Sequence, residues 1–413
     1  MRIACVVHRY GAEIAGGSEA HCRHVAEHLA ASHDVTVLTT CAKDHVTWKN
    51  VYPAGESRSG GVRVRRFATA RERSLSRFAD ASEIAFSKNA SEADQQQWFR
   101  ENGPDAPALL AHLAAHGHEF DRVLFWAFRY AETYFGLPLV RERAVLVPTV
   151  EDDPLVRLSV LQRFFSLPAG FVFLTPEEQA LVMRRMSGCV APSVVIGTGL
   201  DPVVAAPPSA HGLDALGVRR PFILYLGRVD PNKGCEALLR HFIRFQDAQV
   251  PPVQLVLAGP ANMPIPDHPQ VRPLGFVDHA TRDALLAQAA FLVVPSRYES
   301  LSIVLLEAWN HGVAALVNGR CDVLKGQALR ANGALYYRDY DEFAHSARRL
   351  LGDPAMARQL GRQGLSYVNR EYRWPLVLAK LEDLLARVGR PEGEKGTGVV
   401  SATAPPVQNR QEH

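Results

Sequence analysis

The chain has 413 residues, more than one hydrophobic core of ordinary size organises and a suitable length for two α/β domains. Apolar residues make up 47% of it and the formal net charge is +3, which argues against a dedicated nucleic-acid binder, because such proteins concentrate a larger basic excess. The six cysteines form no CxxC pair, a pattern that favours reduced thiols over a disulfide or zinc framework.

The first 40 residues predict a strand, a glycine loop, a helix and a second strand. The apolar run 3–7 leads through Gly16 and Gly17 into a segment with apolar side chains at helical spacing, and the run 34–39 is typical of a buried parallel strand. This βαβ order places ligands at the glycine turn, so both glycines are binding candidates. Two glycines also make an ordinary turn, and the lack of a full GxGxxG motif argues against a nicotinamide site.

Further buried strands are predicted at 122–126, 144–148 and 170–174, whereas the polar stretch 57–107 predicts irregular loops and helices. Two of these strands are followed by charged residues. Arg129 comes after the first, and the acidic cluster that contains Glu151 and Asp152 comes after the second. Ligands of open α/β sheets bind at the carboxyl ends of the strands, so all three are candidate ligand-binding residues. Capping of the next helix is the alternative for the two acids.

A Pro-, Ala- and Ser-rich segment at 201–212 predicts an interdomain linker, after which the strand and helix pattern restarts. The second half predicts strands at 221–226, 253–258, 291–295 and 314–317, helices at 234–245 and 281–289, and a helix that begins near Ser302. We therefore expect a first domain at 1–205, a second at 206–366, a helical segment at 367–390 that returns to the first domain, and a disordered tail at 391–413.

The strongest local pattern is the segment 225–234, YLGRVDPNKG, at the exit of a predicted buried strand. Gly227 permits a close turn, and Arg228 and Lys233 place two cations five residues apart on one loop. Such a pair can hold a diphosphate, the arginine through its fork of donors and the lysine as a point charge. The alternative is a solvated turn in which Lys233 is only a surface charge.

A second pattern follows the strand 291–295. Glu299 lies in the loop, Ser300 or Ser302 is placed to cap the next helix, and Glu307 falls on that helix among apolar neighbours. A helix start offers free N–H groups and a positive dipole to phosphate oxygens, and an acid one turn further on can accept hydrogen bonds from ribose. The alternative is that both glutamates serve only the helix dipole and an amphipathic face. A buried carboxylate needs partners, which favours the functional interpretation.

Together these residues resemble the retaining glycosyltransferases of family four, which have the B-type glycosyltransferase fold. Glu299 and Glu307, with seven residues between them, resemble the EX7E signature. Further matches are Gly227-Arg228 and Lys233-Gly234 to the diphosphate clamp, 195–201 to the turn near the hinge, and Gly16-Gly17 to the amino-terminal glycine loop. The resemblance covers nearly the whole chain. It implies an α/β fold of two Rossmann-like doubly wound domains that face each other across a cleft.

The resemblance also implies a role for each matched residue. The catalytic residues are Arg228 and Lys233, which neutralise the leaving diphosphate, and Glu299, which binds donor-sugar hydroxyls. The donor-binding residues are Gly16, Gly17, Gly227, Gly259, Phe276, Ser300, Leu301, Ser302 and Glu307, with Glu307 at the ribose and Gly259 and Phe276 near the base. Glu151, Asp152 and Arg129 stay on the acceptor side. Many members carry a histidine after a mid-domain strand, but the corresponding segment 126–130 contains none.

The implied activity is a retaining hexosyl transfer, without metal or other cofactor, in cell-envelope polysaccharide or glycolipid biosynthesis. The expected partners are a UDP- or GDP-linked sugar donor and a saccharide or lipid-linked acceptor, with no nucleic acid. A nucleotide-sugar epimerase of the same fold and a noncatalytic saccharide-assembly binding protein are the alternatives. We expect a cytoplasmic location, because no apolar run approaches the roughly 18 residues of a membrane span. Peripheral contact with the inner face of the membrane and the oligomeric state are left open.

Two polar patterns favour structural roles. The Asp339-Tyr340-Asp341 sequence matches the DXD pattern of A-type glycosyltransferases, but its place before a predicted surface helix favours an N-cap. His21, His24 and His28 recur at helical spacing and predict a solvated helix face instead of a metal site.

Overall fold

The computed structural model describes residues 1–14, 16–186, 191–203, 211–247 and 252–388. These residues form two parallel sheets with helices on both faces, which confirms the predicted pair of Rossmann-like domains. The predicted domain boundary between 205 and 206, the predicted tail 391–413 and Cys189 all lie outside the described residues.

The strands of the first domain are β1 (Arg2–Val6), β2 (Asp34–Thr40), β3 (Gly55–Ser59), β4 (Val62–Phe67), β5 (Arg122–Trp126), β6 (Ala144–Val147), β7 (Gly170–Phe173) and β8 (Ser193–Val195). In the described part of the chain they form one sheet in the order β3-β4-β2-β1-β5-β6-β7-β8, with only β3 and β4 antiparallel. The helices are α1 (Gly17–Leu29), α2 (Leu75–Ala85), α3 (Glu92–Asn102), α4 (Pro107–His116), α5 (Ala131–Gly136), α6 (Val160–Phe164) and α7 (Pro176–Met183). Short 3-10 turns occupy Gly117–Glu119, Leu137–Arg143 and Pro154–Arg157.

The second domain begins with the short helix α8 (His211–Ala215). Its strands are β9 (Phe222–Leu226), β10 (Gln254–Ala258), β11 (Val271–Gly275), β12 (Phe291–Val294), β13 (Ala315–Asn318) and β14 (Ala334–Tyr337). Among the described residues they form a parallel sheet in the order β11-β10-β9-β12-β13-β14. The other elements are the 3-10 turn Pro231–Lys233 and the helices α9 (Cys235–Gln246), α10 (His279–Gln288), α11 (Ile303–Asn310), α12 (Asp322–Ala331), α13 (Tyr340–Gly352), α14 (Pro354–Glu371) and α15 (Trp374–Arg387).

Central strands of both sheets are apolar because helices cover both of their faces. β9 (FILYL) and β10 (QLVLA) are buried along their whole length. On the adjacent helix α9, Leu238, Leu239 and Phe242 face the sheet, whereas Glu236 and Arg240 pair at the surface. The parallel arrangement brings the loops after the strands of each sheet to a single edge, and these two edges meet at the cleft.

The chain passes between the domains twice, at adjacent places. Where the chain leaves the first domain, the Leu200 N–H donates to the Tyr372 carbonyl at 2.7 Å. Tyr372 lies where the chain returns to the first domain, so the two crossings are in contact. α15 then packs on the first domain, where Arg122 donates to the Leu385 carbonyl at 2.8 Å and His28 stacks on Trp374 with ring centroids 3.7 Å apart. Within the described ranges, none of the helices is long and apolar enough to cross a membrane.

The predicted solvated histidine face on α1 is wrong. His21 is only 2% exposed, accepts a hydrogen bond from the Trp126 indole and lies 2.9 Å from the Gly197 carbonyl. His24 and His28 lie against Trp374. This face of α1 is covered because α15 returns to the first domain, a contact that the local spacing of α1 does not reveal.

Candidate functional site

Glycines let the loops after β9, β10 and β11 approach one another closely. Gly227 and Gly259 have φ angles of +130° and +147°, and a Cβ on Gly259 would lie 2.0 Å from the Gly227 carbonyl oxygen. The Gly259 N–H in turn donates to the Gly275 carbonyl at 2.7 Å. These loops thus place Gly227, Gly259 and the 80% exposed Phe276 at one edge of the second sheet.

The loop after β9 is shaped to present Lys233 to the loop after β12. Asp230 caps the 3-10 turn by accepting from the Asn232 N–H, and Gly234 follows with φ +75°. A Cβ on Gly234 would lie 2.3 Å from the Pro295 carbonyl oxygen, so the two loops are in direct contact. The Lys233 Nζ donates to Glu299 Oε1 at 2.9 Å. Two predicted catalytic residues from different loops therefore form one ion pair.

The acidic loop of the first domain faces this ion pair across the cleft. Burial disfavours a charged Lys233, but the carboxylates of Glu299 and Glu151 outweigh it and raise the pKa of the lysine. Burial also raises the pKa of Glu151, against the opposing effect of the cations Arg129 and Lys233. Arg129 lies 3.6 Å from Glu151 and 2.9 Å from Asp153. Glu151 and Lys233, which belong to different domains, thus lie close enough for each to shift the pKa of the other.

Asp152, predicted beside Glu151, points elsewhere. Its side chain is 57% exposed and lies 3.4 Å from Arg157. It lines a separate cavity between the domains, to which Glu299 also contributes.

Arg228 bridges the domains through a residue that the sequence did not indicate as functional. Its Nη1 lies 3.1 Å from the Nε2 of His45, which follows β2 in the first domain, and its Nε lies 3.5 Å from Asp230. Burial lowers the pKa of His45, and the cations Arg9 and Arg228 lower it further, so the imidazole is neutral and accepts from Arg228. Its position in a loop after a buried strand was the signal that could have found it.

The start of α11 lies at the same edge. The Ser300 carbonyl accepts a hydrogen bond from Thr175 Oγ1 of the first domain at 3.1 Å, and Leu301 is buried. Ser302 occupies the N-cap position, but among the described residues no side chain caps the helix. Its first N–H groups and the positive end of its dipole therefore face the loop that carries Glu299.

Glu307 has its own cation, away from the Lys233–Glu299 pair. Its carboxylate contacts the guanidinium of Arg282 on α10, and its side chain is 18% exposed. The expectation that this helical carboxylate has a partner agrees with the geometry, although the partner is an arginine that the sequence did not single out. Burial lowers the pKa of Arg282.

The glycine loop of the first domain surrounds a buried charge network. A Cβ on Gly16 would lie 2.2 Å from a carboxylate oxygen of Glu19, whereas one on Gly17 would meet no atom of the described residues within 4 Å. Glu19 contacts Arg9 and lies 2.8 Å from His8 Nε2. Burial opposes its ionisation, but His8 and Arg9 prevail and hold the pKa of Glu19 well below its usual range. None of these charged residues was among the sequence candidates.

Metal-ligating side chains do not gather in the part of the chain that the structure describes, where no three His, Cys, Asp or Glu residues could hold one ion. Asp339 of the DXD pattern caps α13 by accepting from the Glu342 N–H. That aspartate has the predicted capping role.

Sequence comparisons relate the chain to glycosyltransferases. A family model described as "Glycosyl transferases group 1" matches residues 220–353, which lie in the second domain. Over nearly its whole length the chain is similar to the glycogen synthase of Mycobacterium tuberculosis, with 25% identity over 91% of this chain and 92% of the relative. The alpha-maltose-1-phosphate synthase of the same organism is also 25% identical, over 94% of this chain and 100% of the relative.

Solved structures of other proteins have a similar fold. Sucrose-phosphate synthase (tll1590) from Thermosynechococcus elongatus superimposes with a TM-score of 0.68 at 20% identity, covering 94% of this chain and 98% of that one. Anabaena Alr3699/HepE, in complex with UDP and glucose, gives 0.69 at 15% identity and covers 94% and 99%. The chain thus has the B-type glycosyltransferase fold, and its glycosyltransferase relatives support a transferase enzyme.

Proposed function

We propose that the protein is a retaining glycosyltransferase that moves a sugar from a UDP- or GDP-linked donor to a saccharide or lipid-linked acceptor, without a metal. The observation that carries this proposal is the 2.9 Å contact of Lys233 with Glu299 at the edge where the β9 and β12 loops meet. Arg228 stands on the same loop as Lys233, and Glu151 faces them from the first domain.

The chemistry follows from these charges. Arg228 and Lys233 neutralise the diphosphate, and the amides that start α11 bind its oxygens. As the bond between the anomeric carbon and the phosphate oxygen breaks, an acceptor hydroxyl forms the new bond on the same face, and its proton passes to the departing phosphate. Cations fixed before the reaction stabilise the negative charge that develops on the leaving group. Glu299 holds donor-sugar hydroxyls and Glu151 the acceptor.

The Anabaena neighbour was solved with UDP and glucose, and an Escherichia coli neighbour with UDP-2-fluoro glucose, so UDP-glucose is the first donor to test. We further propose that the product belongs to cell-envelope polysaccharide or glycolipid synthesis and that the enzyme acts in the cytoplasm.

The test is a thermal-shift screen of nucleotide sugars, followed by turnover with candidate acceptors and assignment of the product anomer. Lys233→Ala is expected to keep the fold and to lose about 10²–10³-fold in turnover, the effect of removing one transition-state donor. Lys88→Ala, at an exposed position, is the matched control. Unchanged turnover of Lys233→Ala, an inverted product, or isomerised donor without acceptor would contradict the proposal.

A further inference from the structure

A second hollow lies beside the proposed donor site. It has a volume of about 450 Å³, within the range of roughly 300–1,000 Å³ that is usual for small-ligand sites. Its walls come from both domains, from α7 on one side and from the β12 loop and the start of α12 on the other. Val150, Leu181 and Val323 supply apolar surface, and Glu299 marks the end nearest the proposed reaction centre.

Four cations that line this cavity have no ion-pair partner in the part of the chain that the structure describes. Among the described residues, Arg184 at the end of α7 and Arg297 in the β12 loop form no ion pair, and Lys325 only approaches the Tyr336 ring, at 5.7 Å from its centroid. Arg320 donates through Nε to the Arg338 carbonyl at 2.7 Å and forms no ion pair with a described residue, although its charge also acts on the more distant Glu342.

The acids of the cavity, in contrast, are mostly neutralised. Three are paired, namely Asp152 with Arg157, Glu177 with Arg330 and Glu299 with Lys233. Burial raises the pKa of Glu178 to about 8, and its two oxygens accept from the Val150 and Leu174 N–H groups. Asp322, in the first turn of α12, is left to face four unpaired cations.

We propose that this cavity is a binding site for a phosphomonoester, whose phosphate is held between Arg184 of the first domain and Arg297, Arg320 and Lys325 of the second. A dianion balances the excess charge better than a carboxylate does, and guanidinium forks match phosphate oxygens. The start of α12, where Cys321 occupies the N-cap position, also borders the cavity, so the positive end of the helix dipole adds to the potential there. The apolar wall accommodates the carbon skeleton of the ester.

This site is separate from the Arg228–Lys233 loop and goes beyond the proposed transfer. The phosphate can belong to the acceptor, since the cavity ends at Glu299, or to a separate ligand that holds the domains together. Both sources require the same anion chemistry.

Isothermal titration of the full chain with inorganic phosphate and with glucose 6-phosphate, against glucose as the uncharged control, tests the site. We expect inorganic phosphate and glucose 6-phosphate to bind and glucose not to bind. The double variant Arg184→Gln/Lys325→Gln should bind both phosphates with at least 10-fold lower affinity. Arg358→Gln, at an exposed position on α14, should bind as wild type. If the double variant does not fold, the single variant Lys325→Gln is tested in its place, and the unfolding midpoint of each variant shows whether it is folded.

Nucleotide binding separates this proposal from the proposed function. Arg184→Gln/Lys325→Gln should keep the wild-type affinity for UDP, whereas Arg228→Gln, which leaves the Lys233–Glu299 pair intact, should lose UDP binding and keep phosphate binding. If the acceptor supplies the phosphate, the double variant raises KM for a phosphorylated acceptor only. If a separate ligand supplies it, added phosphate changes turnover without competing with the acceptor. The proposal is overturned if the two phosphates do not bind, or if they bind equally well to wild type and double variant.

Discussion

Glu132, in the first turn of α5, is a carboxyl group buried in the first domain. Among the described residues, neither of its carboxyl oxygens has a hydrogen-bond partner, and His8 Nδ1 is 3.8 Å away. Burial raises the pKa of Glu132 well above its usual value of 4.5. The folded chain therefore keeps a proton that the unfolded chain releases. The contribution to stability is complete below the unfolded pKa and is lost as the pH rises towards the folded one.

Glu132→Gln should for this reason stabilise the protein at pH 8, because glutamine has a similar shape and does not ionise in the unfolded chain. We expect a gain in the free energy of unfolding at pH 8 that shrinks towards pH 4. Guanidinium unfolding at both pH values measures it, with the exposed Glu83→Gln as control. A difference that is equal at pH 4 and pH 8 would refute the assignment.

Glu151 should set the acidic limb of the pH profile. Burial raises its pKa, so its ionised form appears only at a higher pH than for an exposed glutamate. We expect kcat/KM to fall as the pH drops through this pKa, and the limb to disappear in Glu151→Gln. At neutral pH the kcat/KM of that variant should be roughly 10- to 150-fold lower than that of the wild type, which corresponds to the loss of one hydrogen bond to a charged group. Asp152 is more exposed, so Asp152→Asn should lower kcat/KM less. A profile unchanged by Glu151→Gln would exclude the role.

At the scale of elements, buried strands were predictable and edge strands were not. β9 and β12 are uninterrupted apolar runs, a pattern typical of strands in a sheet whose two faces are both covered by helices. The segment 57–107 was expected to be irregular, but it contains most of the β3–β4 hairpin. Only Val62, Val64 and Phe67 of β4 are buried, and its arginines remain at least partly exposed because this side of the sheet lies near solvent. Such a strand depends on its neighbours more than on its own composition.

Some residues of the candidate site could likewise be predicted from the sequence, and their contacts could not. Lys233 and Glu299 could be found because each stands on a loop after an apolar strand, and such loops share one edge of the sheet. Their contact, and the pairing of Arg228 with His45, join residues 66 and 183 positions apart, so no local pattern encodes them. Arg282 was missed for the same reason, since only the packing of α10 beside α11 brings it to Glu307.

Gly259→Ala should test the contact between the β9 and β10 loops. Its Cβ would overlap a backbone carbonyl at 2.0 Å, and φ there is +147°. We expect destabilisation beyond the 1–3 kcal/mol that backbone strain alone costs, together with weaker nucleotide binding. Gly275→Ala is the control, because its φ is +68° but its Cβ would meet none of the atoms that the structure describes within 4 Å, so only the strain remains. Equal losses in the two variants, by chemical unfolding, would contradict the argument.

At the scale of the molecule, α15 fastens the end of the described chain to the first domain. Trp374 is 6% exposed and contacts His24 and His28 of α1, whereas Leu376 on the same helix is 37% exposed. Trp374→Ala should cost about 3–5 kcal/mol, the range for a buried aromatic, and Leu376→Ala much less. Calorimetry should show the loss in the transition of the first domain. A similar loss in both variants would mean that α15 does not hold that domain.

The adjacent crossings near Leu200 and Tyr372 decide how the cleft can open. Both lie just beyond β8, at one border of the first sheet, so a rotation there moves each loop in proportion to its distance from that border. Thr175 follows β7, the strand next to β8, and therefore lies about one strand spacing of ~4.8 Å from that border. His45 follows β2, five strand spacings from β8, or about 24 Å from the same border. A swing of ~10° shifts His45 by about 4 Å and Thr175 by about 1 Å. The contact of His45 with Arg228 is therefore broken outright, whereas the contact of Thr175 with Ser300 is only lengthened by about the width of one bond. Each widening of the cleft thus frees the guanidinium assigned to the donor diphosphate.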